Sequence, residues 1–235
     1  MSERLKEAAY YDVDQDAARC RLCPQACGIM PGRTGICGTR RFRDGRLELL
    51  NYGRYTSIAV DPIEKKPLYH FHPGKEILSI GGKGCNLKCA FCQNCEISQG
   101  DPVTHAIEPE ELAGLSAKYS ERSVGVAFTY NEPLIWFEFI RAAAPLIRAD
   151  GGKVVLVTNG FINPAPLAEL LPLVDAMNID LKSFDDVFYK KYCGGRIDPV
   201  KETIAAAAAA GSHIEVTVLL IPEFNDSRDM LHDQA

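Results

Sequence analysis

The sequence predicts an α/β protein, namely an open, partial (β/α) barrel with parallel strands, preceded by a small N-terminal Cys-rich segment. Two observations carry this prediction. From residue 76 onward, short apolar runs alternate with helical segments, which is the pattern of βα units in a parallel sheet. By contrast, residues 18–45 are rich in cysteine, glycine, proline and arginine and lack hydrophobic periodicity. A bound metal would have to organise such a segment.

We expect two units. Residues 1–60 are interpreted as a Cys-rich metal-binding segment with a short hairpin, and residues 61–235 as the partial barrel. Polar residues 1–17 are expected to be helical. Residues 46–60 read as two short strands around a turn at 51–53.

Five strands and four helices are expected in the barrel. The strands are expected at residues 77–82, 124–130, 153–158, 176–181 and 214–221, and the helices at 108–119, 133–148, 164–171 and 199–210. Carboxyl ends of parallel strands share one edge, where function gathers. The loop 81–95, Asn131–Glu132, Asn159–Gly160 and Lys182 should therefore lie on one face. Five strands do not easily close, and residues 223–235 are polar, so the barrel is expected to be open and C-terminally short.

Composition and charge limit the classes of function that the chain can have. Of the 235 residues, 46% are hydrophobic and 24% charged, which fits a folded protein. The formal net charge of -5 disfavours nucleic-acid binding. No apolar stretch reaches the length of about 20 residues that spans a membrane, and the charged N-terminus lacks a signal-peptide core. We therefore expect a cytoplasmic protein without a membrane partner.

Eight of the nine cysteines fall into two groups. In a reducing compartment, clustered cysteines bind metal more often than they form disulfides. The second group is Cys85, Cys89, Cys92 and Cys95, and its first three members have CX3CX2C spacing. Three thiolates can hold three irons of a 4Fe–4S cluster and leave the fourth open, whereas structural zinc and ferredoxin clusters take four ligands. Cys95 is either a fourth ligand or a small hydrophobe, and the second interpretation is favoured because a fourth ligand would close the site.

The first group is Cys20, Cys23, Cys27 and Cys37, spaced CX2CX3CX9C. Four thiolates can close a zinc site or hold a second iron–sulfur cluster, and the spacing does not choose between them. A disulfide pair is the alternative.

Residues 85–92, CNLKCAFC, resemble the motif of the radical SAM superfamily, including the aromatic Phe91 before the third cysteine. The resemblance implies a 4Fe–4S cluster whose open iron binds S-adenosylmethionine. It also implies reductive cleavage of that cofactor to a 5′-deoxyadenosyl radical, which abstracts a substrate hydrogen. An electron donor such as flavodoxin or ferredoxin is expected.

The same resemblance implies cofactor-binding residues. Phe91 would contact adenine, unless it is a core aromatic. In the segment TYNEP, Asn131 and Glu132 would face the methionyl ammonium. The alternative for Glu132 is a charge at a helix N-terminus.

Two further strand ends carry cofactor candidates. Thr158 and Asn159 would bond the ribose or the carboxylate, although Thr-Asn-Gly is also a common turn. Asp180 and Lys182 fall on one face of their strand. Lys182 would pair with the cofactor carboxylate, or the two form a surface ion pair.

The chain also resembles a narrower group, the radical SAM protein of the AmmeMemoRadiSam system, which is related to pyruvate formate-lyase activating enzymes. The resemblance rests on the two cysteine groups and on the segments DPIEKKPLYHFHPG, YNEP, VTNG and CGGR. This resemblance implies a protein substrate or partner. Glycyl-radical activating enzymes tend to carry an acidic residue at the position of Val157, so the chain departs from that subfamily here. Cys193 is expected to be a buried small residue, and His70 and His72 to be satisfied by the backbone.

Three functions compete. The first is a radical SAM enzyme that activates or modifies a protein. The second is a non-catalytic iron–sulfur or zinc protein that acts as a carrier or partner-binding module. The third, a radical enzyme that modifies RNA, is disfavoured by the acidic charge balance.

Overall fold

The computed structural model describes residues 5–14 and 16–234. Its strands are β1 (Tyr11–Asp14), β2 (Ala17–Cys20), β3 (Gly28–Ile29), β4 (Arg40–Arg43), β5 (Arg46–Leu49), β6 (Arg54–Tyr55), β7 (Ser57–Pro62), β8 (Glu76–Gly81), β9 (His105–Ala106), β10 (Ser123–Phe128), β11 (Lys153–Thr158), β12 (Ala176–Asp180) and β13 (His213–Thr217). Its helices are α1 (Cys95–Gln99), α2 (Pro109–Lys118), α3 (Phe137–Ala149), α4 (Pro164–Leu170), α5 (Asp186–Phe188), α6 (Asp198–Ala209) and α7 (Arg228–Gln234).

A six-stranded sheet in the order β13-β12-β11-β10-β8-β7 forms the centre of the molecule. Strands β8, β10, β11, β12 and β13 are parallel, and β7 pairs antiparallel with β8 at one edge. Parallel neighbours need crossover connections, and helices provide them between β10 and β13. All five parallel strands therefore end at the same edge of the sheet.

The two faces of this sheet are buried differently. Residues such as Ile80, Phe128 and Leu156 pack in the main core on the helix side. On the other face, Ala127, Val155 and their neighbours pack against Ile63 and Leu68, from the segment between β7 and β8. Burial on both faces explains why the strands read as continuous apolar runs in the sequence.

The predicted barrel elements are confirmed. Each of the five expected parallel strands and each of the four expected helices forms within a few residues of its predicted bounds. The last strand ends at Thr217 and not at residue 221. There the chain turns away, because Asn225 Nδ2 donates to the carbonyl oxygens of Leu219 and Lys182, both at 2.9 Å.

The expected N-terminal helix is wrong where the structure describes it. Residues 1–4 and 15 of the expected helix lie outside the described residues. The rest includes β1, which pairs antiparallel with β2 from Tyr11↔Cys20 to Asp14↔Ala17. A polar segment without an apolar face gains little from packing as a helix, whereas pairing with β2 satisfies its backbone.

The strands expected around the turn at residues 51–53 form, but they do not pair with each other, so the hairpin prediction is wrong. Strand β5 pairs with β4, and β6 pairs with β9. The β4–β5 connection is a tight turn at Asp44 and Gly45, both with positive φ, which favours local pairing. Strand β7, which runs through residue 60, belongs to the large sheet.

Within the described ranges, no helix combines the length and apolar character needed to cross a membrane.

Candidate active site

The loop between β8 and α1 carries the second cysteine group. We call residues 82–94 the cysteine loop. Its thiols Cys85, Cys89 and Cys92 are half-buried, and Cys95, the first residue of α1, is exposed. The loop begins at the carboxyl end of β8, the edge where the parallel strands end.

Two asparagines at neighbouring strand ends hold the cysteine loop. Asn131 accepts from the backbone N–H of Gly82 and donates to the carbonyl oxygen of Gly84, both at 3.0 Å. The Nδ2 of Asn159 lies 3.0 Å from Asn86 Oδ1 and 3.6 Å from Cys85 Sγ. The prediction that these strand ends share one face with the cysteine loop is therefore confirmed.

Glu132 is buried beneath this face and links two strand ends. Its carboxylate accepts hydrogen bonds from Leu134 N at 2.9 Å, Thr158 Oγ1 at 2.6 Å and Asn159 N at 2.8 Å. Burial raises the pKa of Glu132 to about 7, although these three donors oppose the rise. Thr158 is thus engaged with Glu132, and the bond to Leu134 is the helix N-terminal contact considered as an alternative.

Lys182 lies beside the cysteine loop. Its Nζ donates to Asp180 Oδ2 at 2.6 Å, and its side chain is 17% exposed. Burial lowers the pKa of Lys182, but Asp180 and the nearby thiols of Cys89 and Cys193 outweigh burial and raise it. A cation is therefore retained next to the loop, already paired with Asp180.

Phe91 is half-buried at the tip of the loop. Its ring centroid lies 5.8 Å from that of Phe188, which in turn lies 5.1 Å from Tyr192. The aromatic is thus backed by two further rings on the segment that follows β12, which gives it a fixed, partly open face.

The sequence did not indicate that Cys193 lies against the cysteine loop. The residue is fully buried, as expected. The backbone N–H of Lys88 donates to its carbonyl oxygen at 2.8 Å. A hydrogen bond to Cys193, together with burial, raises the pKa of Cys89. The Gly194–Gly195 pair was the available signal, since a Cβ at Gly195 would lie 2.5 Å from the Leu87 side chain.

The first cysteine group also comes together. All four thiols line one cavity, together with apolar side chains such as Ile29 and Ile135. In the described part of the chain, no cysteine forms a disulfide, and no three His, Cys, Asp or Glu side chains already converge as metal ligands.

His70 and His72 lie apart from the cysteine loop. The backbone N–H groups of Tyr69 and His70 donate to the Glu215 carboxylate on β13, and the His72 ring packs edge-on against Phe71. The His70 ring itself lies beside the Glu215 carboxylate, with Nδ1 3.5 Å from Oε2, whereas a backbone partner was expected.

With this geometry described, the chain can be compared with known proteins. The family model of the radical SAM superfamily matches residues 79–234. The chain therefore belongs to the radical SAM superfamily. Membership implies a 4Fe–4S cluster and S-adenosylmethionine as cofactors, and an enzyme.

Several curated proteins are similar to the chain. An uncharacterised protein of Methanocaldococcus jannaschii is 41% identical over 231 residues, covering 97% of this chain and 68% of the relative. The benzylsuccinate synthase activating enzyme of Thauera aromatica is 26% identical, over 84% of this chain and 62% of the relative. The pyruvate formate-lyase 1-activating enzyme of Escherichia coli K12 is 23% identical, over 64% of this chain and 63% of the relative. The predicted relation to pyruvate formate-lyase activating enzymes is confirmed.

Among solved structures, Streptococcus suis SuiB bound to S-adenosylmethionine superposes with a TM-score of 0.52 at 15% identity. The match covers 64% of this chain and 34% of SuiB. It supports the α/β radical SAM fold.

Proposed function

We propose that this protein is a radical SAM enzyme of the activating type. In this proposal Cys85, Cys89 and Cys92 bind three irons of a 4Fe–4S cluster, and S-adenosylmethionine binds the fourth. The observation that carries it is the placement of a three-thiol loop at the carboxyl ends of the parallel strands, bracketed by Asn131 and Asn159.

The donor set fits such a cluster. Burial and the nearby Glu132 carboxylate raise the pKa of Cys85, an effect that a bound metal cation opposes. The N–H of Leu87 reaches Cys85 Sγ at 3.4 Å, and Ser98 Oγ lies 3.3 Å from Cys92 Sγ. Such donors stabilise metal-bound sulfur.

The bound pair of cofactors supplies one-electron cleavage of a sulfonium bond and hydrogen-atom abstraction from the substrate. The chain supplies orientation. Asn131 and Asn159 fix the loop, Lys182 offers a cation for the methionyl carboxylate, and Phe91 offers an aromatic face for adenine.

Glu132 is assigned a positioning role within the same site. It is 1% exposed, and two of its three hydrogen bonds hold Thr158 and Asn159. We propose that it acts on S-adenosylmethionine through these two residues. A direct hydrogen bond from the methionyl ammonium to its carboxylate stays a prediction.

The substrate class is proposed from the relatives. The names of two similar proteins describe the activation of other enzymes, so we propose a protein substrate, with a flavodoxin or ferredoxin as electron donor and the cytoplasm as the location. The second function, a non-catalytic iron–sulfur or zinc carrier, predicts a cluster without cofactor cleavage.

The decisive experiment is anaerobic reconstitution with iron and sulfide, chemical reduction and addition of S-adenosylmethionine. We expect formation of 5′-deoxyadenosine, lost in the Cys92→Ala variant. The matched control is Cys95→Ala, which removes an exposed thiol only three residues away and should keep both cluster and cleavage. An intact reduced cluster that never cleaves the cofactor would favour the carrier, and loss of the cluster in Cys95→Ala would refute the three-ligand assignment.

A further inference from the structure

We infer that Cys20, Cys23, Cys27 and Cys37 form a second metal centre with four thiolate ligands, and that this centre holds the start of the cysteine loop. The ligand is a soft metal ion or cluster that four thiolates enclose, either Zn²⁺ or an iron–sulfur cluster. The metal centre stands on its own observations. Its positioning role rests on the proposed function.

Two turns place the four cysteines around one cavity. The β2–β3 hairpin places Cys20 opposite Cys27, with Cys20 N donating to Cys27 O at 2.9 Å. Cys23 begins the turn of that hairpin, and Ala26 within it has a φ of 45°. Cys37 arrives on a second turn, closed by Gly38 N donating to Gly35 O at 2.9 Å.

Backbone and hydroxyl donors already surround these sulfurs. Ile36 N donates to Cys27 Sγ at 3.5 Å, and Thr39 Oγ1 lies 3.2 Å from Cys37 Sγ. Burial raises the pKa of the Cys20 and Cys23 thiols, and the backbone at Leu22 and Gln25 opposes this rise. N–H donors to sulfur are the hydrogen bonds that tune metal-bound thiolates, whereas cystine sulfurs do not need them.

A buried cation lines the same cavity. Arg40 is 1% exposed and pairs with Glu138 at 2.7 Å. Its Nη1 donates to the carbonyl oxygen of Ala9, but its Nε has no partner among the described residues. Burial lowers the pKa of Arg40, but Glu138 and negative charge on the nearby Cys20 and Cys37 sulfurs outweigh burial and raise it. A four-thiolate centre carries net negative charge, so an arginine with a spare buried donor suits it.

The cavity and the cysteine loop are in direct contact. Gly84, one residue before Cys85, has a φ of 87°, and a Cβ there would lie 2.3 Å from the Cys37 carbonyl oxygen. Gln25 Nε2 donates to the carbonyl oxygen of Asn86 at 2.8 Å. The side chain of Asn86 itself lines the cavity. Ordering the first centre therefore orders the backbone on both sides of Cys85.

The metal claim is tested on the full chain produced anaerobically, by measuring zinc, iron and acid-labile sulfide per chain. In the variant Cys85→Ala/Cys89→Ala/Cys92→Ala we expect retained metal, either zinc or iron with sulfide. The metal should be lost when Cys23→Ala and Cys37→Ala are added. If the triple variant does not fold, the wild-type chain decides, because it should contain zinc or more iron than one 4Fe–4S cluster holds.

A folded triple variant without metal, or a wild-type chain with a single cluster and no zinc, would overturn the second centre. Neither result depends on cofactor cleavage, so the failure of this inference and that of the proposed function are distinguishable.

The positioning claim is tested with Gln25→Ala, which keeps all four cysteines but removes the bonds to Asn86 and Gly194. We expect unchanged N-terminal metal and about tenfold weaker binding of S-adenosylmethionine to the reduced, reconstituted protein, measured by its effect on the cluster's EPR signal. Wild-type affinity in this variant would overturn the positioning role.

Discussion

Tyr130 shows how one strained residue fixes the strand end next to the site. Its φ is 70°, a conformation that costs a bulky residue about 1–3 kcal/mol and persists only when its surroundings hold it. Its hydroxyl donates to Asp61 at 2.7 Å, and Asn94 of the cysteine loop donates to its carbonyl oxygen at 2.7 Å. Lys66 Nζ, itself bonded to Asp61, lies 4.5 Å from its ring centroid. Asp61 at the end of β7 and Lys66 just after it thereby set the direction in which Asn131 and Glu132 leave β10.

Replacing Tyr130 by phenylalanine should lower the free energy of unfolding by about 2 kcal/mol, because a hydrogen bond to a charged, buried carboxylate is lost. Urea unfolding of the purified chain measures this. Tyr69→Phe is the control, since Tyr69 is 60% exposed. Equal stability of the two variants would show that the Tyr130–Asp61 bond does not hold the turn.

Sequence reasoning succeeded at residues whose position depends on the strand pattern alone. Asn131, Asn159 and Lys182 were expected at one edge because parallel strands end together. Tyr130 and Cys193 were out of reach, because a positive φ in tyrosine and a contact between distant loops leave no periodic trace in the sequence.

At the scale of elements, the segment between β7 and β8 covers the face of the central sheet that lies opposite the helices. Its residues Ile63 and Leu68 pack against the apolar side chains of that face. Farther along, Tyr69 N and His70 N donate to the Glu215 carboxylate at 2.8 and 2.9 Å, which ties the segment to β13. Burial alone would raise the pKa of Glu215, but the hydrogen bonds from His213 and these backbone groups lower it to about 2.

This shift predicts a pH dependence of stability. Since the pKa of Glu215 in the folded chain lies below its ordinary value of 4.5, the ionised carboxylate stabilises the fold above that pH. The contribution is lost as the pH falls from about 4.5 to about 2. The metal-free chain should lose roughly 2 kcal/mol more stability over this window than Glu215→Gln.

Chemical denaturation at a series of pH values measures this difference. The exposed Glu121→Gln is the control and should follow the wild type. An identical acid dependence in wild type and Glu215→Gln would refute the assignment.

The elements that the sequence predicted correctly are those with an apolar pattern. The parallel strands and their helices carry one, so the hydrophobic effect determines them locally. The strands β1 to β6 are only two to four residues long, which is too short to carry a clear apolar period. A helix was therefore expected in place of β1. The expected hairpin joined the wrong strands, because β5 pairs with β4 and β6 pairs with β9, far along the chain.

At the scale of the whole molecule, the cysteine-rich segment and the barrel meet through backbone at Gly84. Replacing Gly84 by alanine would introduce both an unfavourable φ and a contact of 2.3 Å with the Cys37 carbonyl. Gly74 has a φ of 77°, but a Cβ at that position would have no other atom within 4 Å. We therefore expect Gly74→Ala to cost about 1 kcal/mol and Gly84→Ala about 3 kcal/mol or more.

Thermal or urea unfolding distinguishes the two variants. Equal losses would mean that the segment tolerates displacement from the barrel. The contact between Gly84 and the Cys37 carbonyl was not predictable from the sequence. The glycines before Cys85 indicate that another part of the backbone comes close, but they do not indicate which segment it is.

The short range of the N-terminal pairings has a consequence for the order in which the molecule is assembled. Strands β1 and β2, or β4 and β5, join residues close in the chain, so they close small loops at low entropic cost and form early. The parallel barrel strands pair across whole crossovers and come later, both in folding and in synthesis. Once a metal orders its four cysteines, the N-terminal segment would therefore offer the later cysteine loop a surface against which to form.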